Sequence, residues 1–176
     1  IGAAFRFDVR PELSAPEWKD VIRTLTGMGA TTLAFTGGEP LLKKGIEEIL
    51  AFAAGLTVEH VETENGRLTS RWGPPKLHLL SNGKAMRQEI LDLCKRHDIQ
   101  LSMSLPGFTT LAEHTLGGET RHILDWFRRA HEAGLTTVVG VTVTRRNLPE
   151  LYETLAEALL AGADSLLLNR FLPGGR

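Results

Sequence analysis

Apolar residues recur along this chain with two alternating periods, one helical and one strand-like. Trp18, Ile22 and Leu25 follow Ser14-Ala15-Pro16-Glu17, which has the form of a capping box, and Gly27 and Gly29 end that helix. A short β-type run, Thr31 to Phe35, comes next. Ile46, Ile49, Leu50 and Ala53 mark one face of a second helix, predicted from about Leu42 to Ala54 and stopped by Gly55. A strand over Leu77 to Leu80 leads through Ser81-Asn82-Gly83 into a helix with Met86, Ile90, Leu93 and Cys94 turned inward. The strand Ile99 to Leu105 then precedes a helix carrying Ile123, Phe127 and Ala130 as far as Gly134. Thr136 to Val143 is the most strand-like run of all. Asn147-Leu148-Pro149-Glu150 repeats the capping logic, with Leu151, Leu155 and Leu159 as the expected buried stripe. A strand at Ser165 to Leu168 and the tail Asn169 to Arg176 complete the chain.

Alternating helices and strands predict a parallel sheet flanked by helices. Gly29-Ala30, Gly134-Leu135 and Gly162-Ala163 repeat one joint, a helix-ending glycine immediately before a strand. Residues 57–76 are too long for that kind of joint. The alternation of Val58, His60 and Glu62, then Leu68, Ser70 and Trp72, about Asn65-Gly66 predicts an inserted β-hairpin with a type I′ turn. Because it follows a helix, topology puts it at the amino end of the sheet, which favours a structural or partner-binding role.

A length of 176 residues with 42% apolar content suits one domain, residues 1–176, with an ample core. The net charge of −1 gives no basic surface for nucleic acid, and no run is long enough to cross a bilayer. The single Cys94 excludes an internal disulfide framework, which makes the cytoplasm the default setting. Six histidines show no HxH or HExxH spacing, so the pattern gives no metal site.

Candidate chemistry gathers where strands end. Thr36-Gly37-Gly38-Glu39-Pro40 lies between a strand and a helical segment. Two glycines let the main chain turn sharply and approach a ligand, Glu39 adds a carboxylate suited to an ammonium, and Pro40 suits a first helical turn. An ordinary strand-to-helix turn accounts for these five residues equally well. Ser81 and Asn82 end another strand and serve equally as a turn and helix cap. Asn147 reads as an N-cap. Thr142 and Thr144 fit plain β propensity, and Asn169 and Arg170 end the last strand.

Taken in order and spacing, several pieces resemble the radical S-adenosylmethionine (SAM) superfamily. They are Glu12-Leu13-Ser14 with Glu17-Trp18, Phe35 to Leu42, Leu80 to Gly83, Ser104-Leu105 with Glu113-His114, Thr142 to Asn147, and Asn169-Arg170-Phe171 with Pro173-Gly174-Gly175. The resemblance implies an α/β fold, a partial parallel (β/α) barrel of the TIM type. It implies that Thr36 to Pro40 meets the amino group of SAM and that Ser81 and Asn82 hydrogen-bond the same ligand. In a barrel, Gln100, Ser102 and Ser104 point inward, and Ser104 becomes the ribose-contact candidate. Thr142, and Asn169 with Arg170, become further SAM-binding candidates, Arg170 facing the SAM carboxylate or an acidic substrate.

The resemblance also implies a [4Fe-4S] cluster, an electron donor such as flavodoxin or ferredoxin, and a 5′-deoxyadenosyl radical that takes hydrogen from a peptide or small-molecule substrate. Two departures qualify this. The family's Cys-x3-Cys-x2-Cys loop is absent, and Ile1 to Phe5 is similar to the stretch just after it, so the expectation is a chain that begins past the family's first strand. Thr31 to Phe35 would then be an unpaired edge inviting association. Pro106 also stands where the family often has Asp. A cluster-free, non-catalytic domain that binds SAM or a nucleotide is the alternative.

Overall fold

The computed structural model of the protein describes residues 11–111 and 119–170. Ile1 to Phe5, Glu113-His114, Phe171 and Pro173 to Gly175, which carry part of the resemblance, lie outside the described residues.

Five parallel strands form one sheet: β1 (Thr32–Phe35), β4 (Lys76–Ser81), β5 (Gln100–Ser104), β6 (Thr137–Val143) and β7 (Ser165–Arg170), in the order β1-β4-β5-β6-β7. The helices α1 (Ala15–Gly27), α2 (Ile46–Ala54), α3 (Gln88–Arg96), α4 (Thr120–Glu132) and α5 (Leu151–Leu160) alternate with them. α1 starts as its capping box requires, with the Glu17 carboxylate accepting from the Ser14 amide at 2.7 Å and the Ser14 hydroxyl at 2.6 Å.

The helix-to-strand joints share one geometry. Gly29, Gly134 and Gly162 take φ of 97°, 68° and 100°. The next residue then donates back into the last turn: Ala30 to the Leu25 carbonyl, Leu135 to Ala130 and Ala163 to Ala158. A fourth joint, after α3, is made by Asp98 at φ 51°, with Ile99 donating to Cys94. Sequence punctuation by glycine therefore revealed three joints and missed the one built on aspartate.

Strand alternation divides the sheet into two chemically different faces. Leu77 and Leu79, Leu101 and Met103, and Val139 and Val141 are buried together with Leu50, Ile90 and Phe127 of the helices. His78, Gln100, Ser102, Ser104, Gly140 and Thr142 lie on the other face and are half-buried or exposed. Among the described residues the helices pack on one face, so the opposite one reads as the inner wall of an incomplete barrel.

Two boundaries and one buried stripe differ from the sequence expectation. Pro40–Leu42 forms a separate 3-10 turn, and α2 begins only at Ile46, because Gly45 interrupts at φ 80°. In α5 the buried positions are Thr154 and Ala158, while Leu159 is 45% exposed. The last strand continues two residues further, to Arg170. β1 is an edge strand among the described residues, pairing with β4 alone.

The insertion is a hairpin of β2 (Val58–Glu64) and β3 (Arg67–Gly73). Asn65 at φ 51° and Gly66 at φ 75° supply the two positive values a type I′ turn needs. Its root, at Thr57 and Val58, borders the same groove as Gly27, Gly29 and Thr31, at the amino end of the sheet. His60 is buried there, with Nε2 2.9 Å from the Pro74 carbonyl.

Gly162→Ala is expected to destabilise the fold by roughly 1–3 kcal/mol, because a left-handed backbone would carry a side chain. Its added Cβ would also fall 2.6 Å from the His131 Cβ. Gly27→Ala, where a Cβ meets nothing within 4 Å, is the matched control and should be neutral or slightly stabilising in urea unfolding.

Candidate functional site at the carboxyl ends of the strands

The turn after β1 and the end of β4 meet on one side chain. Glu39 Oε1 accepts the Leu41 amide at 3.1 Å and the Ser81 hydroxyl at 2.7 Å, while Oε2 accepts the Asn82 amide at 2.7 Å. Ser81, 4% exposed, uses its hydroxyl oxygen again to accept the Gly83 amide at 2.9 Å. Asn82 closes a turn of its own, its Oδ1 accepting the Lys84 amide at 2.9 Å. Three protein groups thus fix a half-buried carboxylate whose Oε2 keeps acceptor capacity beyond one amide.

Beside it the main chain is bare. Gly37 turns at φ 131°, and ideal Cβ atoms on Gly37 and Gly38 would meet nothing within 4 Å. Pro40 forms the first position of the 3-10 turn and Thr36 is exposed. Fixed carboxylate, exposed backbone and open space together have the chemistry that an ammonium would need.

Further candidates lie along the inner wall. Ser104 pairs in register with Gly140, which pairs with Leu167, and Thr142 pairs with Asn169. Ser104, Thr142 and Asn169 are exposed there, so the structure brings three of the candidates onto one surface. Arg170 pairs with Val143, a residue packed against the helix-covered core, so alternation sends the two side chains of Asn169 and Arg170 to opposite faces.

Asn147 stands at the N-cap position of a 3-10 turn, Leu148–Glu150, as the sequence predicts, but its side chain caps nothing there. It is 1% exposed, and its Nδ2 donates to the Pro106 carbonyl at 2.6 Å and the Thr142 carbonyl at 2.9 Å, while Oδ1 accepts the Thr144 amide at 2.7 Å. Three unpaired backbone groups at the ends of β5 and β6 outcompete a helix terminus for this amide. Glu150, read from sequence only as part of a cap, accepts from the amides of Thr109 at 2.8 Å and Thr110 at 3.1 Å, and from both hydroxyls. Burial alone would raise its pKa, but these hydrogen bonds hold it down at about 2. No spacing signals such a contact, since donors and acceptor lie about forty residues apart.

An iron–sulfur cluster does not fit the residues of this chain. Its one thiol, Cys94, is fully buried on the α3 stripe, and burial pushes its pKa up to about 12. Among the described residues no three His, Cys, Asp or Glu side chains converge as a metal site.

The profile of the radical SAM superfamily matches residues 4–158, and the chain belongs to that superfamily. It is 23% identical over 168 residues to the sporulation killing factor maturation protein SkfB of Bacillus subtilis, covering 94% of this chain and 37% of SkfB. To the AdoMet-dependent heme synthase of Oleidesulfovibrio alaskensis it is 28% identical over 172 residues, covering 94% of this chain and 39% of the synthase. The chain therefore spans less than two-fifths of these curated relatives. Its fold matches Streptococcus suis SuiB, solved bound to S-adenosylmethionine, with a TM-score of 0.76 at 14% identity over 96% of this chain and 36% of SuiB.

Ser81→Ala should cost about 1–3 kcal/mol in denaturant unfolding, since the Gly83 amide loses its buried acceptor. Acid titration should separately expose Glu150. Its folded pKa is depressed, so its contribution is fully present above the ordinary value of 4.5 and fades as pH falls toward about 2. Glu150→Gln should flatten the loss of stability across that window.

Proposed function

We propose that this chain is the SAM-binding core of a radical SAM enzyme. The observation that carries the reading is Glu39, held by Ser81 and by the amides of Leu41 and Asn82 beside the open backbone of Gly37 and Gly38. In enzymes of this class bound SAM, given one electron by the redox partner, would release methionine and supply a 5′-deoxyadenosyl radical for hydrogen abstraction. The residues of this chain bind and orient it. Glu39 takes the ammonium, the Gly37-Gly38 backbone lies along the methionine part, Ser104 meets the ribose, and Thr142 and Asn169 line the adenosine side. Arg170, on the alternate face, serves at most as a cation at the rim. The cluster has no ligands in this chain.

For substrate we favour a peptide. SkfB is a maturation protein, and SuiB has also been solved bound to its precursor peptide SuiA. The heme synthase among the relatives supports a small molecule as the second reading. A redox partner of the flavodoxin or ferredoxin type belongs to the same proposal, as does a cytoplasmic setting. No described helix is long and apolar enough to cross a membrane. A cluster-free module that binds SAM without chemistry is the alternative.

Titration calorimetry with SAM on the full-length parent tests the assignment. Glu39→Ala should weaken binding by about 1–3 kcal/mol, by leaving the ammonium unpaired. Gly38→Ala should leave thermal stability unchanged, because its Cβ meets no protein atom, yet weaken SAM, because that space is the ligand's. Unchanged affinity in both variants would contradict the proposal. Production of 5′-deoxyadenosine by the parent decides between enzyme and binding module.

A further inference from the structure

Directly after Ser104, the chain leaves β5 through Leu105 and the segment Pro106 to Thr110, and side chains from outside capture that segment residue by residue. Asn147 holds the Pro106 carbonyl, Thr154 Oγ1 accepts the Phe108 amide at 3.0 Å, and the Thr120 hydroxyl donates to the Phe108 carbonyl at 2.7 Å. Thr109 and Thr110 then give both amides and both hydroxyls to Glu150, Thr109 to Oε2 and Thr110 to Oε1. Gly107 passes so close beneath that a Cβ there would collide with Glu150 Oε1 and Thr110 Oγ1.

Glu150 stands at the N-cap position of α5, yet its side chain caps nothing in that helix. A cap position normally spends its side-chain oxygen on the helix's own amides. Here the whole carboxylate goes to the neighbouring loop. A four-donor anchor on a surface loop constrains backbone geometry more than a single bond does, and rigid support of this kind is what a ligand-contacting residue needs. Pro106, buried at this exit, brings no polar side chain of its own.

We propose that Glu150 is a positioning residue for the SAM site: by holding Thr109 and Thr110 it sets the path of the β5 exit, and with it the place of the Ser104 hydroxyl on the inner wall. The proposal rests on the SAM reading given above. It assigns Glu150 to the adenosine half of the ligand, whereas Glu39 serves the methionine half.

The test uses the full-length parent and two probes, SAM and 5′-methylthioadenosine, which keeps the adenosine half and lacks the amino-acid part. Glu150→Gln keeps the shape but puts an NH2 donor against donors. It should accelerate amide exchange at Thr109 and Thr110 and weaken both probes roughly tenfold. Thr110→Val, which keeps the amide bond and loses only the hydroxyl, should weaken both by a smaller factor and serves if Glu150→Gln fails to fold. A merely structural Glu150 would lower thermal stability and speed exchange while leaving both affinities unchanged, and that result overturns the proposal. Glu39→Gln separates the two failures. If it weakens SAM while Glu150→Gln and Thr110→Val change neither probe, the positioning role alone is wrong. If wild-type protein binds neither probe, or Glu39→Gln leaves SAM unchanged, the SAM reading falls and this inference with it.

Discussion

The arrangement turns on one carboxylate that must be held by two strands at once. Glu39 belongs to the turn after β1, and its donors Ser81 and Asn82 end β4. Parallel pairing of β1 with β4 is what brings the two strand ends level, with Phe35 beside Leu79 in register. A half-buried carboxylate without partners would face a desolvation cost, and the hydrogen bonds from Ser81, Leu41 and Asn82 offset it. They also fix which oxygen remains available. Charge, direction and exposure of the site therefore follow from sheet register and from a single serine hydroxyl.

The division of the sheet determines what lies beside that carboxylate. Leu79, Leu101, Met103 and Val139 pack beneath the helices, so alternation forces Ser102, Ser104 and Thr142 onto the bare face. The core thereby dictates the inner wall. Glycine joints at Gly29, Gly134 and Gly162 return each helix to the amino end of the next strand, which leaves the strand-to-helix turns to carry chemistry at the other end. The hairpin insertion interrupts a helix-to-strand connection and so sits on the side away from Glu39.

Much of this was legible in the sequence because the signals are local. The capping box at Ser14, the three glycine joints and the Asn65-Gly66 turn each depend on residues within a few positions of one another. Alternation along β5 gave the correct inner face. What escaped was contact between distant segments. Asn147 has the composition of a cap and instead ties Pro106 to Thr142, and Glu150 reaches across to Thr109 and Thr110. Leu159 matched the helical stripe but lies exposed, because periodicity names a face and not what covers it. Ser81 ends its strand where the pattern puts it, while its bond to Glu39, forty-two residues away in sequence, has no local signature.

The most direct measurement is a crystal structure of the full-length parent with SAM bound. The account predicts the ligand's amino nitrogen within hydrogen-bond distance of Glu39 Oε2, about 2.7–3.2 Å, with the Ser81 and Asn82 bonds to that carboxylate intact. A SAM amino group seated elsewhere, with Glu39 still turned to Ser81 and Asn82 and no ligand atom in reach, would contradict it.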